Sequence, residues 1–279
     1  MIETEVHCII KPTKGFESFN LRELWEWREL FFMLVRKNVS VIYRQTVIGI
    51  LWVLFQPILT LLVFIFLVGR FGGHIESNGV PYWFLLFSGI LLWQGFSKAL
   101  TLGSASLSSN QSLITKIYLP RLLLPSSSVF SVFLDLIIVA LLFILSLLFG
   151  DVKISLGGLC FLPIFLFLTL FVALTGSLWF SSVGIFHRDI FILLPFALQI
   201  GQFLTPVLYP LSAIPPSIKW LVALNPMASL IELFRWSIFS GYPFPDVIII
   251  SISFVSLISF FLGGLLVFFS LSRYASDVI

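Results

Sequence analysis

Apolar positions dominate this chain in six long stretches that are almost free of charge. They run over residues 46–69, 77–97, 122–134 with 136–150, 154–186, 190–218 and 247–272. A hydrocarbon core about 30 Å thick needs roughly 20 apolar residues of helix, so the pattern predicts six crossings. The third carries one acidic residue, Asp135. Ahead of the first crossing the pattern changes to a helical stripe. At about 100° per residue, Arg22, Glu23, Glu26, Glu29, Arg36 and Lys37 share one arc. Leu21, Leu24, Trp25, Trp27, Phe31, Phe32, Leu34 and Val35 share the other. Arg28 falls among the apolar residues, while Leu30 and Met33 fall on the charged arc. Asn20 followed by Glu23 fits a capping box. A helix of this kind is expected to lie in the membrane interface.

Two connections carry more pattern than a loop needs. Residues 104–121, SASLSSNQSLITKIYLPR, open on cap-forming Ser and Asn and close at Pro120, which predicts a short helix outside the lipid. Its apolar residues Leu113, Ile114, Ile117 and Tyr118 require a partner surface. Residues 205–241 are apolar yet interrupted by Pro206, Pro210, Pro215, Pro216 and Pro226. The pieces 220–224 and 227–239 are too short to span. Two short helices dipping into the outer leaflet fit best, with Glu232 and Arg235 three apart on one face. By shape this is a lid or gate. The expected fold is therefore all-α: six transmembrane helices, an N-terminal amphipathic interface helix and two short re-entrant external helices. Residues 1–45 form the cytoplasmic tail and interface helix, and 46–279 the membrane domain.

Composition leaves no room for a soluble domain. Hydrophobic residues make up 59% and charged residues 10%, against about 45–50% and 25% in soluble domains, and mean hydropathy is +1.09. The net charge of +3 does not point to nucleic acid, because the basic residues lie at the ends of the membrane segments. Eleven of the sixteen Lys and Arg fall on the side of the termini, which the positive-inside rule makes cytoplasmic. Glu3, Glu5, Pro12 and Glu17 interrupt the first 20 residues, so no signal peptide is expected and the first crossing acts as the insertion signal. Cys8 and Cys160 belong to a cytosolic tail and a membrane segment, which argues against a disulfide. No G-x-x-x-x-G-K-[ST] loop occurs, so ATP chemistry would have to come from another chain. His7, His74 and His187 are far apart, and no metal site is expected.

Several stretches together carry a resemblance. YRQTVIGILWVLFQP at 43–57, SLITKIYLPR at 112–121, HRDI at 187–190, TPVLYP at 205–210, ALNPM at 223–227 and the terminal ASDVI resemble the permease subunits of type 2 ABC exporters. The most similar branch carries lipid-linked polysaccharides such as O antigen, capsule and teichoic acid. The resemblance implies a homodimeric pore with two copies of a separate ABC ATPase, which would hold ATP and magnesium; this chain would have no cofactor. It places ATPase coupling at Ser112, Leu113, Ile114, Thr115, Lys116, Ile117, Tyr118 and Arg121, in a coupling helix of about 105–121. A second contact is implied at His187, Arg188 and Asp189. The external gate corresponds to residues 205–241, with Pro206, Pro210, Pro226, Glu232 and Arg235 shaping it. The implied location is a bacterial cytoplasmic (inner) membrane.

Chemistry narrows the substrate path. Sugars present C–H faces that stack on aromatic rings, and Trp52, Phe55, Trp93, Phe203 and Tyr209 are candidates. A lipid pyrophosphate would be drawn to Lys37, Arg44 or Lys116, and Arg44 is best placed just before the first crossing. Three other readings compete: an ABC exporter of another amphiphile such as a lipid or drug, a secondary transporter, and a membrane-embedded glycolipid transferase. Lys98 and Asp135 open the transporter reading, since intramembrane charges mark pathways. The two look scattered, the halves show no inverted repeat, and Lys98 can snorkel to the surface. The transferase would need clustered carboxylates, whereas Glu76, Asp151, Asp189, Glu232 and Asp246 lie in separate loops.

Overall fold

The computed structural model describes residues 25–44, 49, 51–71, 79–117, 119–150 and 152–272, without the side chains of Ile42, Arg44 and Phe71. Among them the regular elements are all helices, and the one extended pairing is a single bridge between Ile154 and Phe239. The helices are α1 (Arg28–Arg44), α2 (Leu51–Phe71), α3 (Tyr82–Ser104), α4 (Ser106–Ser109), α5 (Gln111–Lys116), α6 (Leu123–Phe130) and α7 (Phe133–Phe149). They continue with α8 (Leu156–Cys160), α9 (Leu162–Gly184), α10 (Ile190–Leu204), α11 (Pro216–Ala223), α12 (Pro226–Ile238) and α13 (Val247–Leu271). Five spans are long and apolar enough to cross a membrane: α2, α3, α6 with α7, α9 and α13. The fifth predicted crossing is shorter than expected. α10 stops at Leu204, and residues up to 218 form loop, a 3-10 turn at Leu211–Ala213 and the start of α11.

Helices α3 and α9 form the centre, where most of their surface is buried. Lipid supplies no hydrophobic drive between helices, so association depends on close backbone approach at small residues. A Cβ on Gly103 would collide with Ser177, and one on Gly176 with Leu100. On the far side of α9, Gly263 and Gly264 of α13 make room for Trp179. The indole of Trp179 donates to the Phe260 carbonyl at 2.7 Å. Helices α2 and α13 are mostly exposed, as a lipid-facing or partner-facing helix must be.

The bundle has two distinct ends. At one, Leu34 of α1, Leu107 of α4, Leu123 and Leu124 of α6, Leu178 and Ile185 around the end of α9, and Phe268 of α13 share a core. At the other, α12 packs near the start of α3, the end of α7 and the start of α13. There the bent pair α11–α12 turns by 104° at Asn225–Pro226, the break that the prolines predicted. Asn225 is extended, as a residue before proline must be, and caps α12 by accepting from the Met227 N–H at 3.1 Å. Its side-chain amide also donates to Thr205 Oγ1 at 2.8 Å, fixing the bend to the loop after α10.

Other expectations change in detail. α1 runs on to Arg44, and its packed face is rotated from the predicted arc. Leu30 joins Trp27, Phe31 and Leu34 against the core, whereas Trp25 and Phe32 are 70% and 61% exposed. The reason is spacing: 27, 30, 31 and 34 make the i, i+3, i+4, i+7 stripe that a neighbouring helix can bury. The predicted single coupling helix is two, α4 and α5, broken at Asn110. The third crossing likewise breaks between α6 and α7 at Ser131–Val132. The capping box at Asn20 and Glu23, and Tyr118, lie outside the described residues.

Candidate functional site

At the α1 end, the break between α4 and α5 is held by one side chain. Asn110, 9% exposed, donates to the Ser106 carbonyl at 2.8 Å and accepts from Lys37 Nζ at 3.0 Å. Lys37, a head-group candidate, is exposed, and its ammonium contacts the break between the two short helices. α1 is further tied to α6 by Asn38, which donates to Ser128 Oγ at 3.4 Å, and by Phe31 against Phe130. Within the expected coupling stretch, Leu113 and Ile114 turn inward onto the α1 core. Ser112, Thr115, Lys116 and Ile117 face out, and Ile117 is 51% exposed in an extended conformation. Arg121 is half-buried in the turn before α6. His187, Arg188 and Asp189 are all exposed in the tight turn into α10, at the same end. Both stretches thus lie at one end of the bundle.

Midway along the bundle, α2, α3, α7 and α10 line an open cavity of about 560 Å³. Two of the aromatic residues predicted for the path, Trp52 and Trp93, line it. Phe55 and Phe203 lie outside it on exposed faces of α2 and α10. Tyr209 sits in the loop beyond α10, donating to the Phe203 carbonyl at 3.0 Å. The cavity also holds what sequence reasoning separated. Lys98 and Asp135 form an ion pair at 2.6 Å, and the Tyr43 hydroxyl donates to the other oxygen of Asp135. Their pairing was legible in principle, because two lone opposite charges in apolar spans are costly unless joined. Arg44, the preferred head-group residue, follows Tyr43 with its side chain outside the described set.

At the opposite end Arg235 is fully buried. Its Nη1 donates to Glu232 Oε1 at 2.7 Å and to the Tyr209 carbonyl at 3.1 Å. Nη2 donates to the carbonyls of Val207 at 2.8 Å and Leu85 at 3.0 Å, and Nε to Ser88 Oγ at 3.2 Å. Glu232 in turn accepts from the Leu211 N–H at 3.1 Å and the Tyr242 hydroxyl at 3.0 Å. A planar guanidinium with five donors suits this cage; an ammonium could not reach all of it. Gly89 makes the approach possible, since a Cβ there would collide with the Val207 carbonyl. Pro206 and Pro210 are buried in the loop that Arg235 holds, and Pro226 opens α12. The predicted i, i+3 pair is present, but it is one part of a clamp joining α3, α12 and residues 205–211.

Residues 29–239 match the family described as ABC-2 type transporter. The O-antigen export system permease protein RfbA of Myxococcus xanthus is 31% identical over 229 residues, covering 81% of this chain and 86% of that protein. Two permeases of the same description from Klebsiella pneumoniae are 26% and 25% identical, over 80% and 78% of this chain and 84% and 82% of their own lengths. The all-helical bundle, its apolar spans and this match lead to one assignment: the chain belongs to the ABC-2 type transporter family, as a multi-pass membrane subunit that works with an ABC ATPase.

Proposed function

We propose that this chain is the membrane subunit of an ATP-driven exporter that carries a lipid-linked polysaccharide from the cytoplasmic to the external face. The observation that carries the reading is a cavity of mixed polar and apolar lining, with Trp52 and Trp93 in its wall, lying between an exposed surface at the α1 end and the bent, clamped α11–α12 pair at the other. The relatives named for O-antigen export support the substrate class. Two copies of this chain would face each other through α2 and α10, whose outward sides are apolar and exposed, with two copies of the ATPase beneath. The ATPase would meet Ile117 and its neighbours, together with His187, Arg188 and Asp189. α1 would carry movement inward. It touches the α4–α5 hinge through Lys37 and the cavity ion pair through Tyr43, so displacement of α5 would shift the contact at Asp135.

Basic residues give this reading its orientation. Among the described residues, Arg28, Arg36, Lys37, Lys116, Arg121 and Arg188 belong to the α1 end, and Arg70, Lys153, Lys219 and Arg235 to the other, which supports a cytoplasmic α1 end. Ser217 in α11 and Ser109 in α4 are both exposed and lie at opposite ends. In a chain lacking Cys8 and Cys160, Ser217→Cys is expected to react with a membrane-impermeant maleimide added to intact cells. Ser109→Cys is expected to react only after the cells are opened. Labelling of position 109 from outside would invert the assignment.

The functional claim is tested in the host. Loss of this gene is expected to remove the polysaccharide from the cell surface while its lipid-linked form accumulates inside, detected by sugar analysis of separated membrane and surface fractions. Unchanged surface polysaccharide would contradict the proposal.

A further inference from the structure

We infer that the cavity between α2, α3, α7 and α10 is a binding site for the sugar portion of the substrate and excludes its charged phosphate head. This inference rests on the exporter reading and adds to it a site with its own chemistry.

Charge comes first. Among the described lining residues the charges are Lys98 and Asp135, one of each sign, already paired at 2.6 Å. A site for a pyrophosphate would need surplus positive charge and several aligned donors, as arginine clusters provide. Among these described groups an anion would face the Asp135 carboxylate with no surplus positive charge. A sugar hydroxyl has no such penalty.

The remaining polar groups are of the right kind. Gln56, Gln94, Gln199 and Gln202 all line the cavity, and each amide offers both donors and acceptors, as hydroxyl groups require. Gln94 is already engaged, donating to Thr60 Oγ1 at 3.1 Å. The side-chain nitrogen of Gln202 is buried without a hydrogen-bond partner, a costly state unless something enters to accept from it. Gln56 and Gln199 are exposed on α2 and α10, two predominantly apolar helices. An amide in a span is costly toward lipid, so these two call for a polar partner: water, a ligand or the second copy of the chain.

Trp93 and Trp52 supply the apolar wall. Trp93 is 3% exposed and held against Gly201, where a Cβ would approach its ring to 3.2 Å. Trp52 is 58% exposed at the rim. The open ring of Trp52 at the mouth, with the amides beyond it, suits a chain of sugar rings with C–H faces and hydroxyl edges, while Trp93 is packed into the wall behind them. The volume lies within the range of small-ligand sites, so a short stretch of the polymer occupies it at any moment.

The test is photo-crosslinking in the native host, which makes its own substrate. p-Benzoylphenylalanine at Gln199 is expected to capture glycan during export, and the adduct is then treated with mild acid, which breaks the bond between sugar and pyrophosphate. Sugar retained on the permease after acid is the expected result. Sugar released by acid, leaving lipid phosphate on the protein, would make this a head-group site and overturn the inference. So would the absence of any adduct at 199 in cells that export normally. As a second arm, the Gln199→Leu/Gln202→Leu variant, reaching the membrane in normal amounts, is expected to lower surface polysaccharide about tenfold, from two lost hydrogen bonds. Undiminished export in that variant would also overturn it. Failure of the exporter reading has a different signature: surface polysaccharide that does not depend on the gene at all.

Discussion

Arg235→Leu is expected to leave a permease that reaches the membrane poorly and unfolds at much lower temperature in detergent. The substitution removes five hydrogen bonds at once and strands the Glu232 carboxylate in the interior, where only the Leu211 N–H and Tyr242 hydroxyl remain to it. Breaking a buried ion pair by deleting one member costs about 3–5 kcal/mol. Against a total stability of about 5–15 kcal/mol for a typical protein, that is a large share. The geometry also separates two double variants. Glu232→Gln/Arg235→Leu removes both charges and is expected to recover part of the loss. Glu232→Arg/Arg235→Glu keeps a pair of opposite charges, yet it places a carboxylate against the carbonyls of Leu85, Val207 and Tyr209, all acceptors. No rescue is expected from the swap. Thermal unfolding followed by the monodisperse fraction in gel filtration checks all three, and rescue by the swap would show that the pair alone matters.

The second large effect is expected at the opposite end. Ile117→Asp/Tyr118→Asp should leave the permease folded while the ATPase no longer responds to it. Ile117 is 51% exposed and makes no contribution to the α1 core, so an aspartate there costs the isolated subunit little. Buried against a docked ATPase, each unpaired carboxylate costs several kcal/mol. Loss of copurifying ATPase, or of substrate-stimulated hydrolysis by about tenfold or more, is the expected outcome. Leu113→Asp provides the contrast, because Leu113 packs inward and its loss should destabilise the permease itself. Undisturbed assembly and stimulated hydrolysis in the Ile117/Tyr118 variant would remove this surface from the account.

The sequence carried the outline of the fold because membrane burial writes itself in length and hydropathy. The spans α2, α3, α9 and α13 and the broken third crossing follow from residue counts against the thickness of lipid. Prolines announced the bend at Asn225–Pro226, since a residue before proline is driven out of the helical region. What stayed hidden depended on pairing across the bundle. Asn110 looks like an ordinary polar residue in a polar stretch, and only the approach of Lys37, 73 positions earlier, makes it a hinge pin. Lys98 and Asp135 lie in different spans, and nothing in either local pattern gives the rotation that brings them to 2.6 Å. The Glu232–Arg235 pair was visible as an i, i+3 spacing, while the three backbone carbonyls around Arg235 come from two distant segments. The cavity was half legible: its tryptophans announced themselves, and its glutamines passed as minor polar interruptions of apolar helices.

Reconstitution tests the central claim most directly. The permease and its ATPase are placed together in lipid vesicles carrying the host's lipid-linked polysaccharide, and ATP with magnesium is added outside. Complexes whose ATPase faces out should carry glycan inward, so a growing fraction becomes protected from a lectin or glycosidase in the medium. Protection should require both subunits and hydrolysable ATP. Glycan that becomes protected at the same rate without ATP, or that stays fully accessible while ATP is consumed in its presence, would contradict the account.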